Sequence, residues 1–137
     1  MKKLLYQFDT DALPSVFDNV VGYDGGADQI TAYGGVNAKN VGGLVEGAIF
    51  TRGLSDKKNT AIFVGGGNMA EGEAVLAAVR KKFFAKFRVS VMFDCNGSNT
   101  TASAAVAWLA HGRSLARQES VMSGSGFGPT FHERNVS

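Results

Sequence analysis

The chain repeats one unit: a short apolar run, a turn of glycine or acidic residues, then a stretch with helical spacing. Lys3 to Phe8 closes on Asp9-Thr10-Asp11, and Pro14 suits the first turn of a helix carrying Val16, Phe17, Val20 and Val21. Gln29 to Tyr33 ends at Gly34-Gly35, and Asn37 to Phe50 follows with Val41, Leu44, Val45, Ala48 and Ile49 at helical spacing, although Gly42, Gly43 and Gly47 weaken that helix. Thr60 to Val64 ends at Gly65-Gly66-Gly67-Asn68. Met69 to Phe84 comes next, with an inner stripe of Met69, Ala70, Val75, Leu76, Val79 and Phe83. Arg88 to Phe93 closes on Asp94, and Thr100 to Ala110 is an alanine-rich helix. Parallel strands need a crossover between them, so this alternation predicts an α/β fold. The expected architecture is a mainly parallel sheet of about four strands with helices on both faces. Thr60 to Val64 does not alternate, as fits a strand covered on both sides.

Composition narrows the function. The 137 residues fit one domain, and the hydrophobic fraction of 45% supports a packed core. A net charge of +2 leaves no basic footprint for nucleic acid. No apolar run is long enough to span a bilayer. Gln7, Asp9 and Asp11 interrupt the apolar stretch that a signal peptide would need after Lys2-Lys3, so the expected compartment is the cytoplasm. Cys95 is the only cysteine, which rules out an internal disulfide. It reads as a small residue beside a turn, with a nucleophile as the alternative. His111 and His132 are isolated and lack metal-ligand spacing, so no metal site is expected. Arg80-Lys81-Lys82 reads as a solvated helix end and Ser55 to Asn59 as a charged surface loop.

Chemistry concentrates in the turns that follow the strands, because ligands of open α/β sheets bind at the carboxyl edge. Asn96-Gly97 suits a turn with positive φ, and Ser98, Asn99, Thr100 and Thr101 are all able to cap the last helix. Asp9 and Asp11 end the first strand, where they either cap the next helix or face a ligand. Phe17 is either core or a stacking face, and Asp18 either an acceptor or a solvated charge. Gly65 to Asn68 is either a turn before a capped helix or a backbone approach to a ligand. After Gly112 the periodicity fades. Ser123-Gly124-Ser125-Gly126-Phe127-Gly128 has glycines at the wrong spacing for a nucleotide fingerprint, and Pro129 follows. The expected division is a domain over 1–112 and a weakly ordered tail over 113–137.

Leu4 to Ala110 also resembles a known family. The residues that carry the resemblance are Gln7-Phe8-Asp9-Thr10-Asp11, Pro14 to Asp18, Val21 to Asp28, Ile49 to Gly53, Ala61 to Gly67, and Asp94 with Asn96 to Thr101. Together and in this order they resemble the N-terminal domain of the NADP-dependent methylene-tetrahydromethanopterin/methylene-tetrahydrofolate dehydrogenases of bacterial one-carbon metabolism. The resemblance implies a three-layer α/β/α domain and an oligomer. It further implies a second, Rossmann-type domain that holds NADP and whose strand and glycine loop are not recognisable here. The implied reaction is hydride transfer from the methylene bridge of the reduced pterin to NADP⁺. That carbon lies between two nitrogens whose lone pairs share the resulting cation, so placement and a nearby negative charge suffice.

On this reading the substrate-binding residues are Phe17, Asp18, Asp94, Asn96, Ser98, Asn99 and Thr100. Asp9 and Asp11 are candidates to stabilise the cation, and Gly65, Gly66 and Asn68 to approach the cofactor. The expected partner is a one-carbon derivative of tetrahydromethanopterin or tetrahydrofolate, and turnover by this chain alone is not expected. The competing readings are a non-catalytic module that holds reduced pterin, and a domain that persists as a homo-oligomer.

Overall fold

The computed structural model describes residues 1–112 and the backbone of Gln118–Ser120 and Arg134–Val136. The elements in chain order are β1 (Leu4–Asp9), α1 (Val16–Asp24), β2 (Gln29–Tyr33), α2 (Val41–Phe50), β3 (Thr60–Gly65), α3 (Met69–Lys82), β4 (Ser90–Phe93) and α4 (Ser98–Gly112). Short 3-10 turns at Leu54–Asn59 and Cys95–Gly97 precede β3 and α4. The four strands form one sheet in the order β2-β1-β3-β4, and every pair is parallel. The α/β class, the strand number and the parallel pairing are as the alternation requires. Gln118–Ser120 and Arg134–Val136, here β5 and β6, pair antiparallel with each other. The rest of the expected tail lies outside the described residues.

Parallel register puts paired residues on the same face of a sheet. Tyr6, Ile62 and Val91 form one row, and Phe8, Val64 and Phe93 the next. These rows meet α2 and α3. The fully buried Phe8, Val41, Val45, Ile49, Ile62, Val64, Val75 and Val79 make this the core. Burying one such aliphatic side chain is worth about 1.5–3 kcal/mol, so this interface outweighs any polar contact in the molecule. Of the three glycines that weaken α2 as a helix, Gly42 alone meets a neighbour; Gly43 and Gly47 face open space. A Cβ at Gly42 would lie 2.8 Å from Lys82 Cε, and Lys82 Nζ reaches Glu46 Oε1 at 2.7 Å, tying α3 to α2.

The opposite rows contain Leu5, Ala61 and Ser90, then Gln7, Phe63 and Met92. α1 lies on this side: a Cβ at Gly22 would stand 2.6 Å from Ile30 Cδ1 and 3.0 Å from Leu5 Cδ2. Helices thus flank the sheet on both sides, as a three-layer α/β/α domain requires. The coverage is unequal. In β3, Thr60, Ile62 and Val64 are buried while Ala61 and Phe63 are not, so the strand is not sealed on both sides as its composition suggests. Val16, Phe17, Val20 and Val21 of α1 are 51–77% exposed, and no residue of that helix is buried.

Several boundaries shift for local reasons. α2 starts at Val41 rather than Asn37 because Asn37 and Asn40 build a turn of their own. Asn37 Oδ1 accepts from Lys39 N at 2.9 Å and Asn40 N at 3.0 Å, and Asn40 Oδ1 accepts from Asn37 N at 2.8 Å. α3 stops at Lys82, where Phe83 is extended and Phe84 pairs with Phe87 around Ala85 at φ 46°. The loop before β3 is not wholly solvated. Lys57 is 5% exposed, donates to Arg52 O at 2.6 Å and lies 5.1 Å from the centre of the Phe87 ring.

Candidate functional site

The strand order reverses between β1 and β3: the chain leaves β1 toward β2 and leaves β3 toward β4. Loops diverge at such a point and open a crevice beyond the strand ends. Asp9 and Gly65 are paired as the last residues of β1 and β3. Beyond them lies a cleft of about 510 Å³, lined by Asp9, Asp11, Ser15, Phe17 and Asp18 on the β1 side. Gly66 and Gly67 form its floor, and Asn96, Gly97, Thr100 and Thr101 its far wall. The two groups of turn residues, far apart in sequence, therefore share one cleft.

Ser15 builds the first wall. Its Oγ accepts from Asp18 N at 3.1 Å and caps α1, which fixes Phe17 and Asp18 at the cleft mouth. Phe17 is 76% exposed, so its ring is an open apolar face rather than core. Neither Asp9 nor Asp11 caps α1. Asp9, 1% exposed, accepts from Asp11 N through Oδ1 and from Ser15 N through Oδ2, both at 2.9 Å, and so ties the β1–α1 loop. Asp11 Oδ2 accepts from Gly67 N at 3.0 Å and links this loop to the β3–α3 turn.

Asp94 builds the far wall. It is 7% exposed. Its Oδ1 accepts from Asn99 N at 2.8 Å and Thr100 N at 3.3 Å, and its Oδ2 accepts from Thr100 Oγ1 at 2.5 Å. A carboxylate at a helix N-terminus satisfies orphan N–H groups and favours the dipole. Asp94 therefore does the capping that the sequence suggested for Ser98 to Thr101, and α4 begins at Ser98 rather than Thr100. Asn99 Nδ2 donates back to Phe93 O at 3.0 Å. Asn96 and Gly97 have φ of 54° and 70°, the turn expected from that dipeptide, and Asn96 is exposed on the cleft wall. Ser98 is buried, and Asn68 caps α3 by accepting from Glu71 N at 3.0 Å. Asp94 and Ser98 are thus embedded in the wall, while Asn96, Thr100, Phe17 and Asp18 face the cleft.

The cleft is acidic. Burial first, then the negative charges of Asp9 and Asp94, hold the Asp18 carboxyl above its ordinary 3.8. The same causes push the Cys95 thiol up to about 11. Cys95 is buried against α3, where a Cβ at Gly72 would collide with its sulfur, so its small size is what the packing uses. Among the described residues no group of His, Cys, Asp or Glu converges as a metal-holding cluster. No helix of the described residues is long and apolar enough to cross a membrane.

Two residues that carry the family resemblance, Ser15 and Gln7, were not among the candidate site residues. Ser15 was legible as the first residue of a Ser-x-x-Asp cap. Gln7 gave a fainter sign, a polar residue inside an apolar strand. It is 1% exposed, donates through Nε2 to Ser15 O at 3.1 Å, and leaves Oε1 buried without a partner.

Fold and cleft together define an open parallel α/β domain with an acidic ligand crevice at the point where its strand order reverses. Residues 16–96 match the family described as methylene-tetrahydromethanopterin dehydrogenase, N-terminal, and the chain belongs to that family. It is similar to the bifunctional protein MdtA of Methylorubrum extorquens, with 69% identity over 106 residues covering 77% of this chain and 37% of that protein. It is also similar to the NAD(P)-dependent methylenetetrahydromethanopterin dehydrogenase of the same organism, with 34% identity over 93 residues covering 68% and 31%. The chain spans about a third of the length of the curated relatives it matches.

The described residues do not fit the phosphates of a nicotinamide dinucleotide. The natural cradle is the glycine turn between β3 and α3, but the Gly67 N–H is already held by Asp11 and the surroundings carry Asp9, Asp11 and Asp18. A pyrophosphate needs free amides and positive potential there. No NADP-binding domain is evident among the described residues.

Proposed function

We propose that the carboxyl-edge cleft holds the reduced pterin of a one-carbon carrier, as the substrate half of an NAD(P)-dependent methylenetetrahydromethanopterin dehydrogenase. The observation that carries this is the convergence of Phe17, Asp18, Asn96 and Thr100 on one crevice above Asp9 and Gly66. Phe17 offers an exposed ring on which a flat heterocycle stacks. The amino and amide edge of a pterin presents adjacent donors, which the Asp18 carboxyl and the Asn96 side-chain carbonyl accept. Positive charge develops on the N–C–N unit as a hydride departs, and the carboxylates of Asp9, Asp11 and Asp18 lower its energy without a proton transfer. Gly66 and Gly67 shape the floor. The hydride acceptor would be held by protein other than the described residues, so the described residues by themselves do not turn over. Asp94, Ser98 and Asn99 contribute by fixing the wall that carries Asn96 and Thr100.

Calorimetry with tetrahydromethanopterin and tetrahydrofolate, each as the methylene derivative, tests the reading. Phe17→Ala should weaken binding about tenfold or more while leaving the melting temperature unchanged, because the ring is exposed. An unchanged affinity, or no binding by the unmodified chain, refutes the cleft as the pterin site. The second reading, a non-catalytic pterin-binding or oligomerisation module, is favoured by the poor fit to dinucleotide phosphates. It requires pterin binding, or a stable oligomer by light scattering, without NAD(P) reduction when other domains of the family are added.

A further inference from the structure

On the α1 side of the sheet a second, larger hollow of about 740 Å³ runs beside the helix over β1, β3 and β4. Its floor is Leu5, Ala61, Phe63 and Met92, and one wall is Val21 of α1. Unlike the cleft it is mainly apolar. Met92 and Val21 stand 50% and 51% exposed, and among the described residues nothing covers them. Such a surface on a parallel sheet is the seat of a helix, since parallel sheets are covered on both faces. The strands that floor it have 4–6 residues, about 13–20 Å at roughly 3.3 Å per residue. A helix of about 9–13 residues spans that length.

The ends of the hollow differ in charge. Lys3 and Lys58, just before β1 and within the turn before β3, line the amino-edge end. Asp18 and Asp94 line the carboxyl-edge end. A helix lying antiparallel to the strands would put its positive N-terminus at the aspartates and its negative C-terminus at the lysines, which is the favourable sense for its dipole. The reverse orientation would set like against like at both ends.

We infer that this hollow is a docking seat for one amphipathic helix of a partner protein segment, entering N-terminus first at the carboxyl edge, with an apolar stripe, a basic or uncharged first turn and an acidic last turn. The family has chain from which such a helix can come, because the curated relatives extend well beyond the stretch matched here. The inference goes beyond the pterin reading and does not rest on it: the apolar floor of Leu5, Ala61, Phe63 and Met92 lies outside the cleft, and the two hollows meet only at the carboxyl edge, where Phe17, Asp18, Gly97 and Thr100 line both.

The test uses the full chain and two synthetic helical peptides of about 14 residues with the same apolar stripe. One carries lysines in its first turn and glutamates in its last; the other has these charges exchanged. The first should bind one to one, at least tenfold tighter than the second. Met92→Glu and Val21→Glu, each at a half-exposed position, should each weaken it at least tenfold while leaving the far-UV spectrum and pterin affinity unchanged. A spin label at Lys58 should broaden resonances of the peptide's last turn, and one at Asn96 those of its first. Equal binding of the two peptides, no binding, or binding indifferent to both substitutions overturns the inference. So does a label at Met92 that broadens residues 113–137, or a homodimer that either substitution dissociates, because each assigns the seat to this chain itself. Failure here leaves pterin calorimetry untouched, and failure there leaves the peptide result untouched.

Discussion

Asp94 separates two roles that look alike in sequence, a ligand for substrate and a cap for α4. Asp94→Ala removes the acceptor for Asn99 N, Thr100 N and Thr100 Oγ1 at a site only 7% exposed to water. Losing an N-cap costs about 0.5–2 kcal/mol. Stranding half-buried donors that faced a carboxylate adds about 1–3 kcal/mol, and the two contributions overlap. A total of about 2–3 kcal/mol is expected, which for a domain of this size lowers the melting temperature by roughly 10 °C. Asp94→Asn retains one carbonyl oxygen for the two backbone amides, and Thr100 Oγ1 can still donate to Gly97 O, 3.2 Å away. It loses chiefly the charge–dipole attraction, about 0.3–1 kcal/mol. Urea and thermal melts of both variants, alongside pterin calorimetry, give the answer. If Asp94→Ala melts with the unmodified protein yet abolishes binding, or if Asn is as damaging as Ala, the capping argument is wrong.

Two further outcomes follow from the acidic cleft. Asp18 ionises later in the folded than in the unfolded chain, so stability falls as pH rises from its ordinary 3.8 through the raised folded value. Asp18→Asn should raise the melting temperature at pH 7 by an amount worth under about 1 kcal/mol, since the group is partly exposed, and the gain should vanish below about pH 4. Cys95, buried and with its thiol pushed up to about 11, should resist iodoacetamide at pH 7.5 in the folded protein and react at once in urea. Modification at equal rates in both states would contradict its burial.

The sequence by itself determined the parallel α/β layout. Apolar runs too short to be helices, each closed by a turn and followed by helical spacing, leave little else for the chain to do. It also determined that the candidate residues of the turns after β1 and β4 share one cleft, because side chains at the carboxyl ends of parallel strands converge whatever the packing details. The positive-φ turn at Asn96-Gly97 was legible because it depends on local backbone preference alone. Tertiary structure decided what periodicity cannot carry. Val16, Phe17, Val20 and Val21 have the spacing of a buried stripe, yet they remain exposed, because burial depends on a neighbour that spacing does not supply. Asp9 and Asp94 are carboxylates like Asp18, yet the backbone around them uses their oxygens, while Asp18 is left facing the cleft. Hydrogen bonds between residues distant in sequence set that division, and only the folded chain brings those partners within reach.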